Sequence, residues 1–356
     1  MNISIICFSM TGLETGERLQ RALEKEGESV TLAKKSRYLP DPISVSTSQW
    51  AGEQFRTGKE GVIFVGACGI AVRTIAPFLK SKTVDPAVLV IDEKGQFVIS
   101  LISGHIGGAN EFAIQVAEKI GAVPVITTAS DVNGKIAVDV FAKKNGLAIG
   151  SMKDAKAMAS AILRGCKVGV YCTGEIQDTL PKELFPAGQE KADALIWISE
   201  VKPDKKQAEE YLKKEDGPVL HLIPKIVTIG IGCRKNKTYE KIKDTVDTVL
   251  EQAGISVMAV QAAASIELKK DEAGIKRFCE ELKIPFLTYT AEELAQVQGE
   301  FEHSSFVEKT TGVDNVCERS ALLAAGKGGK IIRKKYAKEG VTVALAVREW
   351  RICFGK

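Results

Sequence analysis

SLISGHIGGANEFA (Ser100–Ala113) decides how the N-terminal part of this chain is read. A run of β-formers over 96–102 breaks at Ser103-Gly104-His105. Gly107, Gly108 and Asn110 follow, and then Ile114, Val116, Ala117 and Ile120 recur at helical spacing. A glycine turn between a buried strand and a helix lets backbone come close to a ligand and aims N–H groups at it. The same turn can also exist only to let strand and helix pack, and the motif alone supports both readings. It carries one of the chain's three histidines.

Outward from that stretch, the spacing predicts strands at 2–8, 30–33, 62–65, 88–92 and 121–126, with hairpin-like turn residues at 92–95. A turn is expected at Thr11-Gly12, a helix over 14–26, polar loop over 34–48, and a helix carrying Val72, Ile75, Phe78 and Leu79. Strands alternating with helices indicate an α/β domain with a largely parallel sheet, here assigned to 1–150. Ligands of such sheets sit at the carboxyl ends of strands, where loops 66–73 and 103–110 are expected. Residues 151–225 read as a smaller connecting subdomain. Helices are expected at 136–144, just ahead of it, and at 154–164, strands at 168–172, 194–198 and 219–223, and a charge-rich surface stretch at 202–217. A second α/β domain spans 226–356, with strands at 227–231, 257–262 and 340–347 and helices at 238–253, 272–282 and 315–325. The fold class is therefore α/β: two domains with mostly parallel sheets joined by a smaller middle α/β subdomain.

Composition narrows the function classes. With 45% hydrophobic and 26% charged residues over 356, the chain has the balance of a globular protein. No apolar run approaches the ~18 residues of a membrane span, and the N-terminus lacks a secretion signal's basic and apolar regions, so no membrane association and a cytoplasmic location are expected. A net charge of +4 falls short of a nucleic-acid footprint. None of the eight cysteines forms a CxxC pair, so disulfide and zinc frameworks are not favoured and most cysteines are expected to be buried fillers.

Several residues could carry chemistry. GIGCRKNK (Gly230–Lys237) joins glycine-turn donors to Arg234, Lys235 and Lys237, which suits a carboxylate or phosphate. It lacks the GK[ST] ending of a P-loop, and neither GACGIA nor SGHIGG matches a dinucleotide fingerprint. Both α/β units set cysteine behind glycine (Gly66-Ala67-Cys68, Gly230-Ile231-Gly232-Cys233) with arginine following. His105 can be a general base, a metal ligand or a satisfied turn residue; His221 in an apolar strand reads as structural and His303 as part of a polar loop. Glu318, near the start of a helix, either compensates the helix dipole or is a base presented to a cleft. Cys68, Cys233 and Cys317 lie near glycine turns without a fixed partner base. Lys269 and Lys270 could hold anionic groups or mark a solvated turn.

Taken together, CGIAVRTIAPFLKSKTVDPAVLVIDEKGQFVISLISGHIGGANEFA and GAVPVITTASD, then GIGCRKNKTYEKI, SIELKKDEAGI, PFLTYTAEEL, TGVDNVCERSALLAAG and GVTVALA, resemble the cobalt-precorrin-5A hydrolases, the CbiG family of anaerobic cobalamin biosynthesis. The resemblance is dense over 61–131 and 226–347. It implies a ring-contracted cobalt tetrapyrrole substrate whose ring-A δ-lactone is opened by water. The C20-derived two-carbon unit leaves as acetaldehyde, giving cobalt-precorrin-5B. It also implies no cofactor or resident metal, since the substrate carries the cobalt, and hand-over to other enzymes of the pathway. A non-catalytic tetrapyrrole carrier is the alternative.

From chemistry and position, His105 or Glu318 is expected to be the catalytic base, with His105 as an axial cobalt ligand the competing role. The substrate-binding set expected is Cys68, Gly69, Arg73, Gly104, Gly107, Gly108, Asn110, Gly232, Cys233, Arg234, Lys235 and Lys269. Backbone N–H groups over 104–108 would meet the lactone carbonyl, and the basic side chains, Lys82 included, the substrate's peripheral carboxylates.

Overall fold

Residues 3–7 show almost no polar–apolar alternation, and the strand they dominate, β1 (Asn2–Cys7), is buried on both faces, as a parallel sheet under two helical layers requires. The computed structural model describes residues 1–81 and 84–355, apart from the Phe306 side chain, so Lys82 lies outside the described residues. The chain divides into two compact units, Met1–Val140 and Phe141–Lys356.

In the first unit β1 is joined by β2 (Ser29–Lys34), β3 (Gly61–Val65), β4 (Ala87–Ile91), β5 (Phe97–Ile102) and β6 (Val123–Val125), in the order β2-β1-β3-β4-β5-β6. The helices are α1 (Met10–Glu24), α2 (Thr47–Arg56), α3 (Cys68–Ile75), α4 (Ala109–Ile120) and the short α5 (Ala129–Val132), and the unit ends within α6 (Val138–Lys144). Leu19 and Leu23 of α1 and Phe112 and Val116 of α4 cover one face of the sheet. Trp50 and Ala51 of α2 and Ala71 and Ile75 of α3 cover the other.

Every neighbouring pair in this sheet is parallel except β4 and β5, a hairpin that pairs Val88 with Ile102 and Ile91 with Val98. That reversal corrects an expectation. Loops 66–73 and 103–110 both follow the carboxyl ends of their strands, yet they occupy opposite edges of the sheet. The Gly66 N–H reaches Ile91 O, whereas Ser103 Oγ donates to Asp85 O. About five residues of strand, roughly 16 Å, separate the two edges. Because β6 runs parallel to β5, the segment after β6 joins the 103–110 loop at its own edge.

The second unit contains β7 (Leu147–Ile149), α7 (Met152–Leu163), β8 (Val168–Cys172), β9 (Glu175–Ile176), β10 (Leu184–Pro186), β11 (Ala194–Ile198), α8 (Lys205–Glu209) and β12 (Val219–Pro224). Four of these strands and β7 form the sheet β10-β8-β11-β12-β7, parallel but for β7. Then follow β13 (Val227–Cys233), α9 (Tyr239–Gln252), β14 (Val260–Ile266), α10 (Ala273–Leu282), β15 (Phe286–Tyr289), α11 (Ala291–Ala295), α12 (Ser305–Thr311), α13 (Val316–Ala325), β16 (Lys330–Lys338), β17 (Val341–Val347) and β18 (Arg351–Ile352). The third sheet runs β15-β14-β13-β17-β16, and β18 pairs with β9. Helix α13 lies so close to β13 that a Cβ on Gly230 would sit 1.8 Å from Cys317 O.

Local expectations fail for identifiable reasons. Thr11-Gly12 is no turn but part of α1, which Ser9 caps by accepting the Gly12 N–H. Glycine in this helix serves close packing, since a Cβ on Gly16 would meet Cys7 Sγ at 2.5 Å. The loop expected over 34–48 ends in a capping box, Ser46 with Gln49, that starts the unanticipated α2. Pro77 ends α3 in a single 3₁₀ turn, so Leu79 lies beyond it. Residues 257–259 form a 3₁₀ turn capped by Ser256, which displaces the expected strand to β14. Strand β16 is lysine-rich and half exposed, a polar edge strand without an apolar pattern to announce it. Only Cys7, Cys279 and Cys317 are buried; the other five cysteines are partly exposed.

Candidate functional site

The turn after β5 is built by its own backbone. Ser103 adopts φ +61° and Gly108 φ +83°. The N–H groups of Gly108, Ala109 and Asn110 donate to His105 O, Ser103 O and Gly104 O. Gly107 admits no side chain, because a Cβ would lie 2.3 Å from the Ser103 Cβ. These three N–H groups are therefore committed to the turn, and what the turn presents is the His105 ring.

That ring, with 20% of its side chain exposed, is held from both nitrogens. Nδ1 lies 3.5 Å from Asp139 Oδ1 at the start of α6. Nε2 lies 3.0 Å from Asp131 Oδ2 and 2.9 Å from Ser130 Oγ, both on α5. Asn110, buried at the start of α4, donates from Nδ2 to Thr128 Oγ1 (2.8 Å) and Asp131 Oδ2 (3.1 Å) and accepts from Ser100 Oγ (2.7 Å). The Asp139 carboxylate holds the imidazole's pKa above its ordinary value. Partial burial opposes that, and Asp131 adds to it. The result is a partly exposed histidine stabilised in its protonated form, able to release and recover a proton.

Glu318 is placed differently. It is fully buried in the first turn of α13, where Asn315 Oδ1 caps its backbone N–H. Its Oε2 accepts from Glu302 N–H (3.1 Å) and its Oε1 from Lys335 N–H (2.7 Å). The Lys335 donor is available because β16 slips register against β17 between Arg333 and Tyr336, which takes Lys335 out of the ladder.

The remaining candidates fall into two groups. Cys68 and Gly69 open α3, while Arg73 sits exposed in its last turn with its guanidinium folded back over Gly69. They lie at the sheet edge opposite His105, so Gly104, Gly107, Gly108 and Asn110 are not brought together with them. At the end of β13, Gly232 meets the Thr342 hydroxyl and Arg234 N–H donates to Gly340 O (2.9 Å). Arg234 and Lys235 are exposed and form no ion pair among the described residues. Lys269 is paired with Glu272 at 3.0 Å, and Glu272 also accepts from Asn236 N–H, pinning the 233–237 loop. Arg73 sits within a helix and Arg234 ahead of one, so the shared glycine–cysteine–arginine spacing is not a shared geometry. Burial pushes the Cys233 thiol up to about 11 and Cys317 to about 12, which leaves little thiolate. His221 Nε2 bonds Ser199 O at 2.8 Å, a structural role, and His303 pairs with Glu308.

The sequence pattern does not single out Ser130, Asp131 and Asp139, which surround the His105 ring. A signal existed for the first two: TTASD directly follows β6, which shares its direction with β5. Asp139 had none, since it sits in an ordinary amphipathic helix pattern.

Comparison with known families matches residues 49–131 to the cobalamin synthesis G N-terminal region, 136–224 to the cobalamin biosynthesis central region and 227–346 to the cobalamin synthesis G C-terminus. A cobalt-precorrin-5A hydrolase of Salmonella typhimurium is 32% identical over 355 residues, 97% of each chain. One of Priestia megaterium is 34% identical over 294 residues, 80% of this chain and 78% of that one. Among solved structures, a cobalamin biosynthesis protein G homolog from Sulfolobus solfataricus is 23% identical and covers 98% of this chain and 97% of that one, with a TM-score of 0.39. Among the described residues no helix is long and apolar enough to cross a membrane.

Proposed function

The chain belongs to the cobalamin synthesis G family, and from that premise we propose that it is a cobalt-precorrin-5A hydrolase with His105 as its acid–base group. It acts in the cytoplasm on a ring-contracted cobalt tetrapyrrole, needs no cofactor of its own, and passes its product to another enzyme of the pathway. Water opens the δ-lactone to a carboxylate and a hydroxyl. Removal of the hydroxyl proton then drives C–C cleavage, which sends the electron pair into the conjugated macrocycle and releases acetaldehyde. Both stages need one group that can give and then take a proton near the same oxygen.

The observation that carries this reading is the His105 ring, partly exposed and held at both nitrogens by Asp131 and Asp139. Glu318 does not fit the role, because both of its oxygens are taken by backbone N–H groups inside the fold. The exposed cations of Arg234, Lys235 and Arg73 suit the substrate's peripheral carboxylates.

The test is incubation with cobalt-precorrin-5A, measuring acetaldehyde and the corrinoid product. Equimolar acetaldehyde and cobalt-precorrin-5B are expected, with His105→Gln slowing release by about 10²–10⁴-fold. Tight retention of unchanged corrinoid without acetaldehyde would establish the carrier reading instead.

A further inference from the structure

We infer that Asp131 is a second catalytic residue, the base that activates the lactone-opening water, and that Asp139 is a positioning residue for His105. This rests on the hydrolase reading above.

The two carboxylates flanking His105 are not equivalent. Asp139 has 12% of its side chain exposed and faces Nδ1, the inner side of the ring. Asp131 has 43% exposed and faces Nε2. Its Oδ2 is anchored by two donors, the imidazole and the Asn110 amide. Its Oδ1 takes no partner among the described residues. An anchored carboxylate with one oxygen open to solvent is what a water-activating base requires.

Asn110 is buried, its Oδ1 accepts from Ser100, and its two N–H protons go to Thr128 and Asp131. With both donors committed, its role is to aim Asp131. Three elements, β5, α4 and α5, thus converge on the orientation of one carboxylate. Nothing in the packing of the sheet requires that.

Ser130 Oγ also lies within reach of Nε2, and Ser130–His105–Asp139 has the outline of a nucleophile, base and orienting acid. Two observations disfavour it. Ser130 is only 9% exposed. A carboxylate 3.0 Å from Nε2 also favours a proton on that nitrogen, which then cannot accept the serine's proton. The charged side chains acting on His105 among the described residues are Asp139 from α6 and Asp131 from α5, and both favour the imidazolium.

The proton traffic closes. Asp131 takes a proton from water, and the resulting hydroxide attacks the lactone carbonyl. As the tetrahedral intermediate collapses, the expelled ring oxygen takes the Nε2 proton of His105. The now neutral imidazole recovers that proton from the freed hydroxyl as the C–C bond breaks, the macrocycle keeps the electron pair and acetaldehyde leaves. Asp131 returns its proton to solvent.

The test uses the full chain with Asp131→Asn, Asp139→Asn and Ser130→Ala, each checked for folding by its thermal transition. Asp131→Asn should slow acetaldehyde release by about 10²–10⁴-fold. Asp139→Asn should slow it less than Asp131→Asn does and shift the limb of the kcat/KM–pH profile assigned to His105 toward lower pH. Ser130→Ala should stay within a few-fold of wild type. An Asp131→Ala variant should regain rate with added formate, which a structural role would not allow. Full activity of Asp131→Asn, or an Asp131-sized loss in Ser130→Ala, would overturn the inference. The imidazole titration of His105, followed by NMR without substrate, should move to lower pH in both aspartate variants. That readout separates a failure of this arrangement from a failure of the hydrolase reading, since a wild-type chain releasing no acetaldehyde sinks only the latter. An unchanged titration in both variants sinks the arrangement itself.

Discussion

His105 and Glu318 occupy similar settings and are used in opposite ways. Each lies at or just ahead of the first turn of a helix whose N-terminus packs on a sheet, and each has both polar ends of its side chain engaged. The partners differ. His105 is held by carboxylates, one of them half open to solvent, whereas Glu318 is sealed and held by backbone amides. An imidazole changes charge in the physiological range and carboxylates can accept a proton, whereas backbone amides can do neither, so a proton can enter and leave the first cluster while the partners of Glu318 cannot pass one on. Depth of burial therefore does not distinguish a functional acid from a structural one; the titratability of what surrounds it does.

The harshest way to break this comparison is Glu318→Gln. A glutamine offers one acceptor where the site has two amide donors, and its NH₂ would face the Glu302 or Lys335 N–H. The unsatisfied buried donor should cost about 1–3 kcal/mol, read as a thermal transition lowered by several degrees. Acetaldehyde release per folded molecule should be unchanged. A variant with the wild-type transition and no release would make Glu318 a base after all.

How much of this was legible in the sequence depends on which physics wrote it. Buried strands such as β1, β3 and β13 announce themselves as apolar runs, because two covered faces leave no room for polar side chains. The hairpin turn at 92–95 is legible too, but a turn signal alone does not say which edge the next loop reaches: reversing β5 sends Ser103–Asn110 to the far edge from Cys68 and Arg73. Strand β16 was invisible because an edge strand facing solvent carries lysines rather than a hydrophobic pattern. His105 was legible as a candidate from its place among glycines. Its meaning was not, because it comes from Asp131 and Asp139, which only the packing of α5 and α6 brings to the ring.

A gentler probe is the pH dependence of stability. The folded protein raises the pKa of His105. The stabilisation this brings is then fully present below the unfolded value of about 6.5 and is lost as pH rises through the folded value. The thermal transition of wild type should exceed that of His105→Gln most clearly at low pH, and the gap should shrink as pH rises. A gap that widens with pH would mean that the ring is held neutral, and the contrast with Glu318 would disappear.

The smallest expected effect sharpens the comparison most cleanly. Lys335 touches the Glu318 region twice, through its backbone N–H to Glu318 Oε1 and through its Nζ to Glu302 Oε2 at 3.1 Å. Lys335→Ala removes only the second contact, a pair in which the Glu302 side chain is 55% exposed. Such pairs contribute about 0–1 kcal/mol, and salt weakens them further. The substitution should therefore lower the thermal transition by at most a few degrees, and less in 0.5 M salt. A loss as large as that of Glu318→Gln would show that the lysine charge, not the bulged backbone, holds the buried carboxylate, and that the second cluster too is governed by ionisable side chains.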